Sequence, residues 1–154
     1  VAQHLLDSLS VVPHLPLGAH ARVADAGSGA GLPGIPIAIA RPGWHVALAE
    51  SSQKKAAFLR QATIELALAN VEVHEGRVED WRPRPLFDLV ISRAFAALGD
   101  FMAACRHLAR PGGVLAAMKG AAPEDAPRDC RLVRLEVPLL GAQRHLVLCP
   151  ASSP

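Results

Sequence analysis

The chain contains 154 residues, of which 51% are hydrophobic and 19% are charged, and its formal net charge is +2. This length fits one domain with a sizeable core, and no run of about 18 residues is free of charges and helix breakers, which argues against a membrane span. The weakly basic balance does not by itself identify a nucleic-acid-binding protein.

The predicted elements start with a short helical segment within residues 4–14, where leucine and valine recur at the spacing of one helix face. From Arg22 onward, short apolar runs alternate with segments of helical period. The predicted strands cover residues 22–26, 45–50, 71–75, 87–92, 114–119, 132–137 and 145–148. The predicted helices cover residues 32–40, 52–69 (after a Ser51 or Ser52 cap) and 98–109, and the Arg-Pro-Gly-Gly run at 110–113 is expected to end the last one.

The two longer helices carry apolar residues at helical spacing, which predicts their buried faces. The residues expected to face the core are Phe58, Leu59, Ala62, Leu66 and Ala69 in the first of these helices, and Leu98, Phe101, Cys105 and Leu108 in the second.

Alternating strands and helices predict an α/β, Rossmann-like fold with a mostly parallel sheet and helices on both faces. The last two strands are an expected antiparallel pair, so the predicted sheet has seven strands and an antiparallel C-terminal end. We expect residues 1–21 to be a helical lead-in, truncated at its start, and residues 22–149 to form the functional domain. Residues 150–154 are expected to be a flexible tail.

A glycine-rich loop lies between the first predicted strand and the helix that follows it. It reads Asp25-Ala26-Gly27-Ser28-Gly29-Ala30-Gly31-Leu32-Pro33-Gly34. Glycines let the backbone turn sharply and approach a ligand closely, and ligands of open parallel sheets bind at the carboxyl ends of the strands. The loop therefore favours a nucleotide-type site over a glycine turn without a ligand.

Two glycine frames compete within this loop. Gly29, Gly31 and Gly34 match the G-x-G-x-x-G dinucleotide fingerprint, which favours an NAD(P)-linked oxidoreductase. Gly27, Gly29 and Gly31 instead give G-x-G-x-G, directly after the acidic Asp25. Because a carboxylate at that point repels a pyrophosphate and attracts a cationic sulfonium, the second frame favours S-adenosylmethionine as the cofactor.

Acidic residues also follow the next two predicted strands. Glu50 ends the second strand, where it is placed to accept hydrogen bonds from ribose hydroxyls, which both cofactors possess. Glu79 and Asp80 follow Val78 in the turn after the third strand, and either is placed to accept from an adenine amino group. A solvated acidic turn explains Glu79 equally well.

Several short motifs resemble one known family in content and in order. They are His4-Leu5-Leu6-Asp7-Ser8, Gly27-Ser28-Gly29-Ala30-Gly31-Leu32-Pro33-Gly34-Ile35-Pro36, Lys54-Lys55, Phe58-Leu59-Arg60-Gln61, Arg77-Val78-Glu79, Ser92-Arg93-Ala94-Phe95-Ala96, Lys119-Gly120 and Arg144-His145-Leu146-Val147. Together they resemble the bacterial 16S rRNA guanine-N7 methyltransferase family, also called glucose-inhibited division protein B. The resemblance covers nearly the whole chain.

The resemblance implies a class I methyltransferase fold and methyl transfer from S-adenosylmethionine to N7 of one guanosine in 16S rRNA. The implied partner is 16S rRNA or the small ribosomal subunit, and no protein partner is implied. The candidate cofactor residues, from the loop frame and the carried-over motifs, are Asp25, Gly27, Ser28, Gly29, Gly31, Leu32, Glu50, Ser51, Val78, Glu79 and Arg93. The acidic residue at the position of Glu50 is usually Asp in this family, which is one methylene shorter.

The chemistry of guanine N7 agrees with the residues present. N7 has a free lone pair and carries no proton, so methyl transfer requires alignment of the reacting atoms rather than a general base. Arg93 is the candidate positioning residue, for the cofactor or for guanine O6. The candidate rRNA contacts are Lys54, Lys55, Phe95, Lys119, Arg144 and His145. Core packing is the alternative for Phe95, and simple solvent exposure is the alternative for the two lysines of the helix. The competing functions are a methyltransferase of another substrate, the oxidoreductase above, and a catalytically silent RNA-binding module.

Cysteine and histidine spacing argues against a metal site. Cys105, Cys130 and Cys149 are far apart and form no CxxC pair, so we expect three free thiols and a reducing, cytoplasmic compartment. The seven histidines do not pair at i, i+4 spacing on one helix face, and we predict no bound metal.

Overall fold

The computed structural model describes residues 2–137, 141 and 143–152. Its four helices in that part of the chain are α1 (Ala2–Ser10), α2 (Gly34–Ala40), α3 (Gln53–Glu65) and α4 (Leu98–Cys105), with 3-10 turns at Val12–His14, Val78–Asp80 and Arg106–Leu108. The strands described are β1 (Arg22–Ala26), β2 (His45–Glu50), β3 (Val71–Glu75), β4 (Phe87–Ser92), β5 (Ala109–Lys119), β6 (Arg131–Arg134) and β7 (His145–Pro150).

All seven strands belong to one sheet, in the order β3-β2-β1-β4-β5-β7-β6. The first five strands along the chain pair in parallel, whereas β7 runs antiparallel to both β5 and β6. The order reverses direction between β1 and β4, and this is the point where open α/β sheets form ligand crevices. The predicted fold class is confirmed.

Two apolar clusters cover the opposite faces of the sheet. One contains Val23, Ile37 and Leu48, with Val11 and Val12 from the segment after α1. The other contains Ala24, Phe101 and Leu108. Alternate residues of β1 therefore enter opposite clusters, because neighbouring side chains of a strand point to opposite faces.

Among the described residues, no helix has both the length and the apolar character that a membrane span needs.

Helix α3 is shorter and less buried than predicted. It ends at Glu65, and Ala67, just beyond it, has a positive φ of 52° that breaks the helical path. Leu59 is fully buried, but Phe58 is 56% exposed and Leu66 is 52% exposed. The predicted apolar face was therefore wrong at Phe58, because the helix buries only a narrow stripe, and at Leu66 and Ala69, which are exposed and lie beyond the end of the helix. The core residues predicted for the segment 98–109 are all buried.

Strand β5 starts earlier than predicted. The run at 110–113 does not end a helix: it lies inside β5, where the pairing with β4 shifts register after Phe87–Ala109. Gly112, with a φ of +79°, accommodates this irregularity.

Strand β7 extends further than predicted, to Pro150, and Ala151 is buried, so the segment 150–154 begins within the sheet. Residues 153–154 lie outside the described part.

A disulfide corrects the prediction of three free thiols. Cys130 and Cys149 are bonded, and their Cα atoms are 4.2 Å apart. Arg131 pairs with Leu148 in the antiparallel ladder, so the next pair outward is Cys130 with Cys149. Sequence spacing missed this contact because only the β6–β7 register brings the two cysteines together. Cys105, in the core, is the remaining free cysteine in the described part of the chain.

Candidate functional site

The glycine loop follows β1 at the carboxyl edge of the sheet. Gly27, Gly29 and Gly31 have positive φ values of 72°, 57° and 94°, a conformation that side-chain-bearing residues adopt only with strain. The backbone N–H groups of Gly27 and Ser28 both donate to the carbonyl of Ala49, at 2.9 and 3.0 Å. These bonds fix the loop against the end of β2.

Asp25 supports the loop from beneath. Its side chain is fully buried, and Oδ2 accepts hydrogen bonds from Ser28 Oγ at 2.7 Å and from the Gly34 backbone N–H at 2.9 Å. Oδ1 has no partner among the described residues. Burial raises the pKa of this carboxyl to about 7, although the bonds from Ser28 and Gly34 act in the opposite direction. Asp25 therefore ties the start of α2 to the loop through a carboxyl whose pKa is raised by burial.

Glu50, at the end of β2, links the glycine loop to the start of α3. Its Oε1 accepts from the Gly29 backbone N–H at 2.9 Å, and its Oε2 accepts from the Ser52 backbone N–H at 2.7 Å. The side chain is 8% exposed. Ser52 in turn caps α3 through its hydroxyl, which accepts from the Lys55 N–H. Glu50 thus fixes the loop relative to the start of α3.

A first cavity, of about 290 Å³, opens beside this loop. It is lined by Gly27, Ala49, Ser51, Gly76, Arg77, Val78, Glu79, Ala94 and Phe95. The structure therefore brings four of the predicted cofactor residues, Gly27, Ser51, Val78 and Glu79, to one cavity. The other predicted cofactor residues, Asp25, Ser28, Gly29, Gly31, Leu32, Glu50 and Arg93, are not among its lining residues. The cofactor roles of all these residues, inside and outside the cavity lining, stay predictions.

A second cavity, of about 100 Å³, is lined by Arg93 of the segment after β4. Its lining residues are Asp7, Arg93, Met118, Lys119, Gly120, Leu135, Arg144 and His145. Three of the residues predicted to contact rRNA line this cavity, namely Lys119, Arg144 and His145. Lys119 Nζ donates to the carbonyls of Phe95 at 2.7 Å and Ala96 at 3.1 Å, so it also holds the segment whose residues line both cavities. Partial burial lowers the pKa of Lys119, against the opposing effect of Asp125.

Lys54 and Lys55 lie in the first turn of α3, and both are exposed. They line neither of the two cavities. Phe58, one turn further along, adds an exposed aromatic ring to the same helix. Contact of this helix with rRNA stays a prediction.

Sequence reasoning missed His107, which positions the turn at Val78–Asp80. Its Nε2 lies 3.0 Å from the carbonyl oxygens of both Val78 and Trp81. A protonated Nε2 donates to these carbonyls and so holds the turn that lines the first cavity. His107 is 26 and 29 residues away from its partners, and nothing in the sequence links them.

We expect His107→Leu to weaken affinity for the ligand of the first cavity about fivefold, because a lost hydrogen bond of this kind is typically worth about 1 kcal/mol. His107→Gln, which keeps a donor at a similar reach, is expected to recover most of the loss. Isothermal calorimetry with both variants measures this. Equal losses in the two variants would show that the ring, rather than its donor, matters.

Comparison with known proteins identifies the family. The sequence model of the family described as GidB, rRNA small subunit methyltransferase G, matches residues 1–135. The ribosomal RNA small subunit methyltransferase G of Burkholderia thailandensis is 52% identical over 157 aligned positions, which cover 94% of this chain and 68% of that protein.

Solved structures share the fold at low sequence identity. A predicted O-methyltransferase, Atu636 from Agrobacterium tumefaciens, superposes with a TM-score of 0.70 at 24% identity, covering 98% of this chain and 81% of that one. A methyltransferase from Thiobacillus denitrificans, solved with S-adenosyl-L-homocysteine, gives a TM-score of 0.63 at 19% identity and covers 73% and 47% of the two chains. These likenesses identify the class I methyltransferase fold.

The family match confirms the resemblance seen in the sequence motifs. The oxidoreductase interpretation, which rested on the G-x-G-x-x-G frame, loses its support. With the matched region running from the lead-in helix through β6 and a curated relative more than half identical, this chain belongs to the rRNA small subunit methyltransferase G family.

Proposed function

We propose that this chain transfers a methyl group from S-adenosylmethionine to N7 of a guanosine in 16S rRNA. The observation that carries the proposal is the first cavity, which lies between the glycine loop and the segment after β4 in a chain of this family. Methyltransferase activity and use of S-adenosylmethionine follow from family membership. The guanosine, its N7 atom and the form of the rRNA substrate belong to the proposal.

The residues of the first cavity fit the cofactor. A Cβ atom at Gly27 would lie 2.8 Å from the Cβ of Ala94, so glycine is what keeps the gap between the two loops open. Val78, Ala94 and Phe95 supply apolar surface for an adenine ring or a thioether chain. Ser51 and Glu79 supply acceptors for hydroxyl and amino groups. Mixed apolar walls with few polar groups are typical of cofactor sites.

The residues around the reacting atoms serve binding and alignment. When bound, the cofactor supplies an electrophilic methyl carbon on a cationic sulfur that leaves as a neutral thioether. Phe95 is half-buried, its ring packs 5.6 Å from that of Phe101, and its remaining surface is proposed to contact the base. Arg93 is exposed on the same segment and is proposed to position the guanine. No proton has to leave N7, and the proposal assigns no general base.

Within this proposal, residues 22–149 form the methyltransferase unit and residues 1–21 its lead-in. Helix α1 nevertheless contributes Asp7 to the second cavity, beside Arg93 and Arg144. We therefore propose that the lead-in takes part in substrate binding.

Mapping of N7-methylguanosine tests the proposal. Purified protein is incubated with S-adenosylmethionine and, separately, with undermethylated small subunits and naked 16S rRNA, and the rRNA is mapped by mass spectrometry. We expect one new N7-methylguanosine in at least one of the two substrates. Calorimetry with S-adenosylhomocysteine is run in parallel. If the protein binds S-adenosylhomocysteine but methylates no guanosine, the proposed substrate is contradicted and the cofactor assignment is not.

A further inference from the structure

The second cavity combines one carboxylate with several cations. Asp7, from α1, lines it together with Arg93, Lys119 and Arg144. The segment that carries Arg93, Ala94 and Phe95 lines both cavities. A planar ligand that reaches over this segment can therefore present one edge to each cavity.

Asp7 retains hydrogen-bonding capacity in this structure. Its Oδ2 lies 3.4 Å from Arg144 Nε, and its Oδ1 is buried without a partner among the described residues. A buried carboxylate oxygen without a donor costs free energy that a ligand donor recovers. The terminal torsion of aspartate is broad, so the carboxylate can turn to bring this oxygen toward a donor in the cavity.

The cations of the second cavity differ in how far they are already engaged. Lys119 donates to two backbone carbonyls, and Arg144 is held by Asp7 and by the carbonyl of Gln143. For Arg93 the described contact is a weaker one, 3.4 Å from its guanidinium to His4 Nδ1. Arg93 is therefore the cation with the most donors left for a ligand.

Guanine matches this arrangement in chemistry and in shape. Its Watson–Crick edge carries two neighbouring donors, N1–H and the N2 amino group, and O6 is an acceptor placed between that edge and N7. A guanine whose N7 points toward the first cavity turns its N1–N2 edge toward the second and places O6 between them. Adenine has no hydrogen on N1 and no amino group on C2, so it cannot make the same pair of bonds.

We propose that Asp7 determines base specificity by accepting hydrogen bonds from N1–H and the N2 amino group of the target guanine, while Arg93 donates to O6. The inference rests on the proposed function and deepens it, because it names the contacts that select the base. In this arrangement Arg144 holds the Asp7 carboxylate in place, and Lys119 holds the segment that carries Arg93.

Replacing the target guanosine by inosine, which lacks only the N2 amino group, tests the contact. The rRNA substrate found to be methylated is prepared with guanosine or inosine at the mapped position, and kcat/KM is measured for both. We expect the unmodified protein to prefer guanosine about 20-fold, because hydrogen bonds to a charged partner are the strong ones. In Asp7→Asn the activity on guanosine falls by a similar factor, and the preference shrinks toward one.

Several outcomes overturn the inference. If the unmodified protein uses inosine as well as guanosine, the N2 contact does not exist, and this result needs no variant to fold. If Asp7→Asn or Asp7→Ser lowers activity on both substrates equally, Asp7 only supports Arg144. Glu65→Gln removes an exposed carboxylate from α3 and serves as the matched control, with no expected change. No transfer to guanosine by the unmodified protein, with S-adenosylhomocysteine still bound, would instead overturn the proposed function and this inference with it.

Discussion

Gly27→Ala is expected to weaken the affinity for S-adenosylhomocysteine about 100-fold, because it combines backbone strain with a collision. Gly27 has a φ of +72°, and its added Cβ would lie 2.8 Å from the Cβ of Ala94. Neither atom belongs to a flexible side chain, so the loop after β1 or the segment after β4 has to move. Either movement changes the first cavity, and calorimetry measures the resulting loss of affinity.

Gly29→Ala is the matched control for this prediction. Gly29 also has a positive φ, of 57°, but an added Cβ would meet no atom within 4 Å. It should therefore suffer the strain alone, with a loss of affinity of roughly tenfold or less. Combining Gly27→Ala with Ala94→Gly removes the atom that the added Cβ meets, and this double variant should recover part of the lost affinity. Equal losses in the two single variants, without rescue, would contradict the collision as the cause.

The fold and the glycine loop were predictable because their determinants are local. Parallel strands buried on both faces appear as short apolar runs, as at His45–Glu50, and the helices between them have their own period. The glycines of the loop occupy positions with positive φ, so the loop is visible in the sequence as a glycine pattern. Asp25 and Glu50 were located correctly at strand ends for the same reason, although their hydrogen bonds to the loop were not foreseen.

The remaining features depend on partners that are distant in sequence. No sequence pattern places Asp7 beside Arg144, His107 beneath Val78, or Cys130 opposite Cys149, since each pair depends on tertiary register. Phe58 was misassigned because its helical spacing matches a buried face that the structure does not bury. The specificity contacts proposed for the second cavity therefore became visible only with the fold.

Asp25 is expected to make the folded protein less stable as the pH rises. Its pKa is raised by burial from 3.8 to about 7 in the folded state. Between these two values the folded state keeps a proton that the unfolded state has lost, so the free energy of unfolding falls with increasing pH. The slope from this one group is about 1.4 kcal/mol per pH unit, which amounts to about 2 kcal/mol between pH 5 and pH 7.

Asp25→Asn isolates this effect from every other titrating group. The amide oxygen can still accept from Ser28 and Gly34, and the amide does not ionise in this range. Urea unfolding of both proteins between pH 5 and pH 8 should show the variant gaining stability over the parent by about 2 kcal/mol as the pH rises. A constant difference across this range would mean that the carboxyl of Asp25 does not titrate there.

Ionisation of Asp25 is also expected to affect the affinity for S-adenosylmethionine. A cationic sulfonium near Asp25 would favour its carboxylate form, so S-adenosylmethionine should bind the parent protein more tightly as the pH rises through 7, whereas S-adenosylhomocysteine, with a neutral sulfur, should respond less. The ratio of the two affinities should therefore depend on pH in the parent and not in Asp25→Asn. A ratio independent of pH in both proteins would confine Asp25 to the role its contacts show, which is to hold Ser28 and Gly34 in place beneath the loop.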